Sequence, residues 1–266
     1  MTAPVFLLGN LRFLWYCIDD GYVLPEKSTD RSVFMSVLTQ SRGLSGNQLK
    51  LLALVTMTID HIGLVLLPQY PIARIIGRLA MPIYAFMIAE GCRYTKSRAK
   101  YLLSMFALAV VCQGVAYVTT KTLYQCILVT FSLSIGLIWL IDRAITQKTA
   151  VSILAASAAL VVVFFLCEIL PLLLPGTDYQ IDYGMIGVLL PLFPFLGKNK
   201  WQKVGLLAAG LVMMCLRSGG IQWYCLLALL PLALYGGHRG KASFKYLFYI
   251  YYPLHIALLQ GIAMLR

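Results

Sequence analysis

The stretch TMTIDHIGLVLLP, residues 56–68, sets an acid and an imidazole, Asp60 and His61, side by side in an apolar run. The preceding LKLLALV is apolar too, so roughly residues 48–67 are long enough to cross a bilayer, which takes about 20 residues. A carboxylate inside such a span costs at least about 2 kcal/mol. Why Asp60 and His61 stand there is the question the rest of the chain answers.

Composition agrees with the membrane reading. Of 266 residues, 60% are hydrophobic and 12% charged, about half the charge of a soluble domain. The expected fold is all-α: a polytopic integral membrane helical bundle, because helices satisfy their own backbone hydrogen bonds in lipid. The net charge is +12. In a soluble protein that would suggest nucleic acid. Here the basic residues fall in loops between apolar runs, where they serve as orientation signals and lipid-headgroup contacts, so no nucleic-acid partner is expected. The seven cysteines show no CxxC spacing, which predicts neither a disulfide nor a metal site.

Apolar segments fall at roughly 48–67, 72–91, 100–118, 123–142, 150–174, 182–197, 203–217, 221–237 and 246–264, about nine transmembrane helices in all. Of the 22 Lys and Arg residues, Lys121, Arg217 and Arg266 fall on one side and Arg74 and Arg78 inside span two. All the others fall on the opposite side, which places the N-terminus inside. Residues 1–46 are mixed in polarity, carry no secretory leader pattern, and read as a cytoplasmic extension. They form either a surface helix near FLLGNLRFLWYC or an unstructured segment, ahead of a membrane domain over 47–266.

The intramembrane ionisable residues cluster by depth. Asp60 and His61 lie in the outer half of span one, and Arg74 and Arg78 near the outer end of span two. Asp182 opens span six from outside, and His255 sits near the centre of span nine. One polar pocket opening outward accounts for this. Asp60 with Arg74 or Arg78 is equally a buried ion pair that fixes helix register, and His61 alone would read as a histidine donating to a backbone carbonyl. Arg74 and Arg78 are four apart and share a helix face, which suits an anion. Tyr252, three before His255, shares its face, and a hydroxyl beside an imidazole is acid/base equipment. Pro253 between them loosens the helix. His238 reads as cytoplasmic surface, and Glu168 has no evident partner.

Five blocks then carry a resemblance, in order: LVTMTIDHIG, RIIGRLAMPIYAFMIAEGCRYT, ILVTFSLSIG, DYGMIGVLLP and FYIYYPLH. They resemble the TraX family of bacterial membrane proteins, named for conjugative pilin acetylation, and span roughly residues 50–257. The family often has Asn just before the third block, where this chain has Cys126. The family looks distantly similar to the integral-membrane acyltransferases, including acyltransferase family three.

The resemblance implies a multi-pass protein of the bacterial cytoplasmic (inner) membrane. It would move an acetyl group from cytoplasmic acetyl-CoA, as donor substrate, to an extracytoplasmic acceptor. That acceptor would be a pilin-like peptide or other protein N-terminus, or an envelope glycan. His61 would be base or nucleophile, oriented by Asp60, with His255 and Tyr252 as further catalytic candidates. Arg74, Arg78, Asp182 and Tyr183 would bind the acceptor, its carboxylate or the developing oxyanion. Arg93, Lys96, Arg98 and Lys100 would contact the CoA nucleotide from the cytoplasmic side, on charge alone. The alternatives are a transporter of a small organic anion, although no pair of similar halves is visible, or a non-catalytic assembly factor of a surface structure.

Overall fold

The computed structural model describes residues 43–240 and 245–265. The expected N-terminal extension, but for residues 43–46, lies outside them. Among the described residues the chain is helical, with two isolated bridges, Leu44 with Tyr235 and Gln125 with Ile181, and no named strand.

Ser45 starts the first helix, α1 (Gly46–Val65), as a capping box: its side chain accepts from the Gln48 amide, and the Gln48 side chain accepts from the Ser45 amide. The chain turns back through α2 (Pro71–Gly77), begun by a proline whose missing N–H costs nothing there. It runs on as α3 (Ala80–Tyr94). Then come α4 (Arg98–Thr120, capped by Ser97) and α5 (Ile127–Gln147). Next is α6 (Ala150–Phe164, capped by Thr149), which passes through a π turn (Phe165–Ile169) into α7 (Leu170–Leu173). The remainder is α8 (Gly184–Leu189), α9 (Leu192–Leu196), α10 (Lys200–Ser218), a 3₁₀ helix (Gly220–Ala228), α11 (Leu229–Ala233) and α12 (Lys245–Met264).

Among the described residues, five helical stretches are long and apolar enough to cross a membrane: Gly46–Val65, Pro71–Tyr94, Arg98–Thr120, Ile127–Gln147 and Ala150–Leu173. They coincide with the first five predicted spans. The predicted spans at 203–217 and 246–264 fall within α10 and α12. Those at 182–197 and 221–237 fold as shorter apolar stretches, Gly184–Leu196 and Gly220–Ala233, of 10–17 residues. At 1.5 Å per residue an α-helix of that length reaches at most about 26 Å, short of a bilayer core. Pro191 separates α8 from α9, and a 3₁₀ segment fills most of the second stretch.

The centre of the bundle is α3. Ile83, Ala85, Phe86, Ala89 and Cys92 are buried there against Leu49 and Ala53 of α1, Ile135 of α5 and Leu207 and Leu211 of α10. Outward faces are apolar instead: Val118 of α4 and Val151, Leu154 and Val161 of α6 are each at least 67% exposed. Such surface is what lipid, not water, covers. Several hydroxyls within the spans are satisfied by their own helix. Thr56, Thr58, Ser132 and Ser134 each donate to the carbonyl four residues back.

Two glycines let α1 and α2 cross closely. A Cβ on Gly63 would lie 2.6 Å from that of Ala73, and one on Gly77 would run into the Asp60 carboxylate. Gly77→Ala is therefore expected to destabilise the protein by about 1–3 kcal/mol. Gly114→Ala, where a Cβ meets nothing within 4 Å, is expected to be neutral or mildly stabilising. Thermal melts of the two variants in detergent check this pair.

Candidate functional site

Asp60 and His61 are neighbours in α1, so their side chains leave the helix about 100° apart. Each therefore meets a different element. Asp60 faces α2. Its two oxygens take one guanidinium each: Arg74 Nη1 at 2.5 Å and Arg78 Nη2 at 2.8 Å. Arg78 is the C-cap of α2, and its Nε donates to the Arg74 carbonyl at 3.2 Å, which ties the two arginines together.

Arg78 is the more buried of the pair, and its remaining donor is used twice. Nη1 reaches Oε1 of Gln222 at 3.2 Å and the hydroxyl of Tyr183 at 3.3 Å. Gln222 is buried in the 3₁₀ helix, and its Nε2 donates to Met214 Sδ at 3.3 Å. Tyr183 is held in a left-handed conformation (φ +60°) ahead of Gly184 (φ +57°). A residue with a Cβ adopts this only under constraint. The double turn swings the chain into α8 and leaves the tyrosine hydroxyl against Arg78. Asp182, beside it, accepts from the Tyr124 hydroxyl at 2.6 Å, and its carbonyl accepts from Thr130. In the neighbouring loop, the Thr122 hydroxyl and the Leu123 amide donate to Asp178 and lower its carboxyl.

His61 faces α12 instead. Its Nδ1 lies 3.2 Å from Nε2 of His255, with ring centroids 5.0 Å apart. His255 is buried, and its Nδ1 lies 2.9 Å from the Tyr251 carbonyl one turn back. The Tyr251 ring stacks on His255 at 5.1 Å and 11°, while its hydroxyl pairs with Thr58 of α1 at 2.7 Å. Tyr252 meets His255 edge-on at 5.4 Å, with its ring in an apolar cluster with Met57, Ala80 and Ala109.

The structure thus brings Asp60, His61, Arg74, Arg78, Tyr183 and His255 into one chain of contacts, with Asp182 next to it. It leaves Arg93, Lys96, Arg98 and Lys100 at the far end of α3, whose 15 residues rise about 22 Å. There Arg93 donates to the carbonyls of Phe195 and Gly197, capping α9. Arg98 pairs with Asp142 at 2.6 Å and donates to the Cys92 carbonyl. Both guanidiniums lie over the Phe195 ring. A buried Lys203–Glu90 pair at 2.6 Å lies on the same side. Glu168, without a partner in the sequence reading, pairs with Arg217 at 2.7 Å and caps α8 through the Met185 amide. No group of three metal-ligating residues occurs among the described residues.

Three contributors escaped the sequence reading: Gln222, Tyr251 and Thr58. Helical spacing pointed to two of them, since Tyr251 is four before His255 and Thr58 three before His61. Gln222 was visible only as a single amide in an apolar run.

Residues 45–263 match the model of the TraX protein family. Over 251 residues the chain is 25% identical to a probable fimbrial assembly protein, FimC of serogroup H1, from Dichelobacter nodosus. That match covers 84% of this chain and 97% of the relative. A shorter match, 40% over 67 residues, is to an uncharacterized protein of Rickettsia prowazekii (strain Madrid E), covering 25% of this chain and 27% of that one. No solved structure matches the chain.

The two-armed Asp60 bridge is expected to hold α1 to α2. Asp60→Asn would leave two guanidiniums uncompensated and cost about 3 kcal/mol. The Asp60→Ala/Arg78→Ala double variant is expected to be more stable than the sum of its single variants predicts. Denaturant titrations of the set in one detergent test both statements.

Proposed function

The chain belongs to the TraX family, and we propose that it is a membrane-embedded acetyltransferase, passing an acetyl group from cytoplasmic acetyl-CoA to an acceptor outside the membrane. The acceptor would be a peptide amine, such as a pilin-like N-terminus, or a hydroxyl of an envelope glycan. The proposed topology has nine membrane-inserted segments in the bacterial inner membrane, the N-terminus inside and two of the segments short. The observation that carries the reading is the meeting of the His61–His255 pair with an arginine cluster on a single helix turn, at Asp60 and His61.

The chemistry needs three things. A base must take the proton of the attacking amine or hydroxyl as its nitrogen or oxygen bonds to the thioester carbonyl carbon. His61 fills that role. A cation must face the oxyanion of the tetrahedral intermediate or the acceptor's own anionic group, and Arg74, the more exposed arginine of the pair, is placed for it. When the C–S bond breaks, the imidazolium returns its proton to the departing CoA thiolate. Arg93, Lys96, Arg98 and Lys100, at the inner end of α3 and the start of α4, are the proposed contacts for the CoA phosphates. Arg93 and Arg98 supply positive potential there while engaged with the carbonyls of Phe195, Gly197 and Cys92 and with Asp142.

A second reading, a non-catalytic assembly factor of a surface structure, is favoured by the name of the Dichelobacter relative. Acetyl-CoA turnover separates the two. Purified protein in nanodiscs, given radiolabelled acetyl-CoA and envelope extract, is expected to consume it. His61→Ala is expected to lose about 10²–10⁴-fold in rate. No binding and no turnover by the wild-type protein would sink the enzyme reading and leave assembly or small-anion transport.

A further inference from the structure

The hydrogen bonds around the two imidazoles have a direction. The Tyr251 carbonyl can only accept, so the His255 Nδ1 that lies 2.9 Å from it carries a hydrogen. A neutral His255 then has a bare lone pair on Nε2. That lone pair faces His61 Nδ1 at 3.2 Å, so His61 Nδ1 must carry the hydrogen between them. What is left is Nε2 of His61, with its lone pair free.

We propose that His255 is a positioning residue that holds His61 in its Nδ1–H tautomer, so that His61 Nε2 is the atom that takes the acceptor's proton. Only the identity of that proton rests on the acetyltransferase reading. Asp60 is not the orienting group: its oxygens face the two arginines of α2, whereas His61 Nδ1 faces His255. The anchor of the relay is built in from both helices. The Thr58–Tyr251 hydroxyl contact ties α12 to α1, the Tyr251 ring stacks flat on His255, and the Tyr251 carbonyl fixes which nitrogen of His255 is protonated. The arrangement repeats the logic of a serine-protease triad, in which a buried acceptor sets the tautomer of the histidine that does the chemistry. Here the acceptor is a second, neutral imidazole, which sets the tautomer without adding a charge inside the membrane.

The test separates His255 atom by atom. Gln places an amide oxygen where His255 Nε2 stands and keeps the acceptor for His61. Asn places its amide where Nδ1 stands and keeps only the link to Tyr251. Wild type, His255→Gln and His255→Asn are prepared as full chains in nanodiscs, with a thermal melt to establish folding. The ¹⁵N spectrum of histidine-labelled protein reports the tautomer, its three imidazoles assigned by single variants. The expected result is a protonated Nδ1 and a bare Nε2 on His61 in wild type and His255→Gln, and a mixture in His255→Asn. Acetyl-CoA turnover is expected to stay within about fivefold of wild type for Gln and to fall about 10²-fold or more for Asn. His61 protonated at Nε2 in the wild type, or Asn indistinguishable from Gln in the spectrum, overturns the proposal. A wild type with the stated tautomer and no turnover keeps the positioning role and removes the acetyltransferase.

Discussion

Asp60 is one carboxylate answering two guanidiniums inside a membrane bundle, and much of the surrounding structure is arranged around that arithmetic. A single carboxylate cannot neutralise Arg74 and Arg78, so the second cation must be dispersed over polar neighbours. Gln222, the Tyr183 hydroxyl and the Arg74 carbonyl take up the remaining donors of Arg78. Each of these comes from a different element, so the charge cluster pins α1, α2, the 3₁₀ helix and the turn before α8 to one point. The irregular backbone there has the same origin. The 3₁₀ segment delivers Gln222 into the interior, and the left-handed Tyr183 brings its hydroxyl to Arg78.

Glycine at 63 and 77 is the steric counterpart of this electrostatic constraint. The bridge forms only if α1 and α2 approach closely enough for Asp60 to lie over the Gly77 backbone. The ion pairs and the glycines are thus one device: neither has a use without the other. About 100° round the same helix turn, His61 faces α12 and meets His255. One dipeptide therefore serves two neighbours. Its acid bridges α1 to α2, and its imidazole meets α12. The chain belongs to the TraX family and is similar to a probable fimbrial assembly protein of Dichelobacter nodosus.

The sequence alone determined the membrane class, the helical fold and the first five spans, because long apolar runs have few other solutions in water or lipid. It also singled out Asp60, His61, Arg74, Arg78, Asp182 and His255 as the residues to watch, since charge inside an apolar run is rare enough to be informative. What it left open was pairing. Asp60 had two arginines in reach, and only the α1–α2 crossing decided that it takes both. His61 had Asp60 as its obvious orienter, and only the docking of α12 on α1 turned it to His255. Tyr252 shared a helix face with His255, yet it was Tyr251 that came to lie flat on the ring. The two short segments at 184–196 and 220–233 read as ordinary spans by composition, and their breaks came from proline and from the 3₁₀ turn that buries Gln222. Helical periodicity says which residues share a face; which face meets which neighbour is set by contacts between residues 14 to 194 positions apart, and those exist only in the folded bundle.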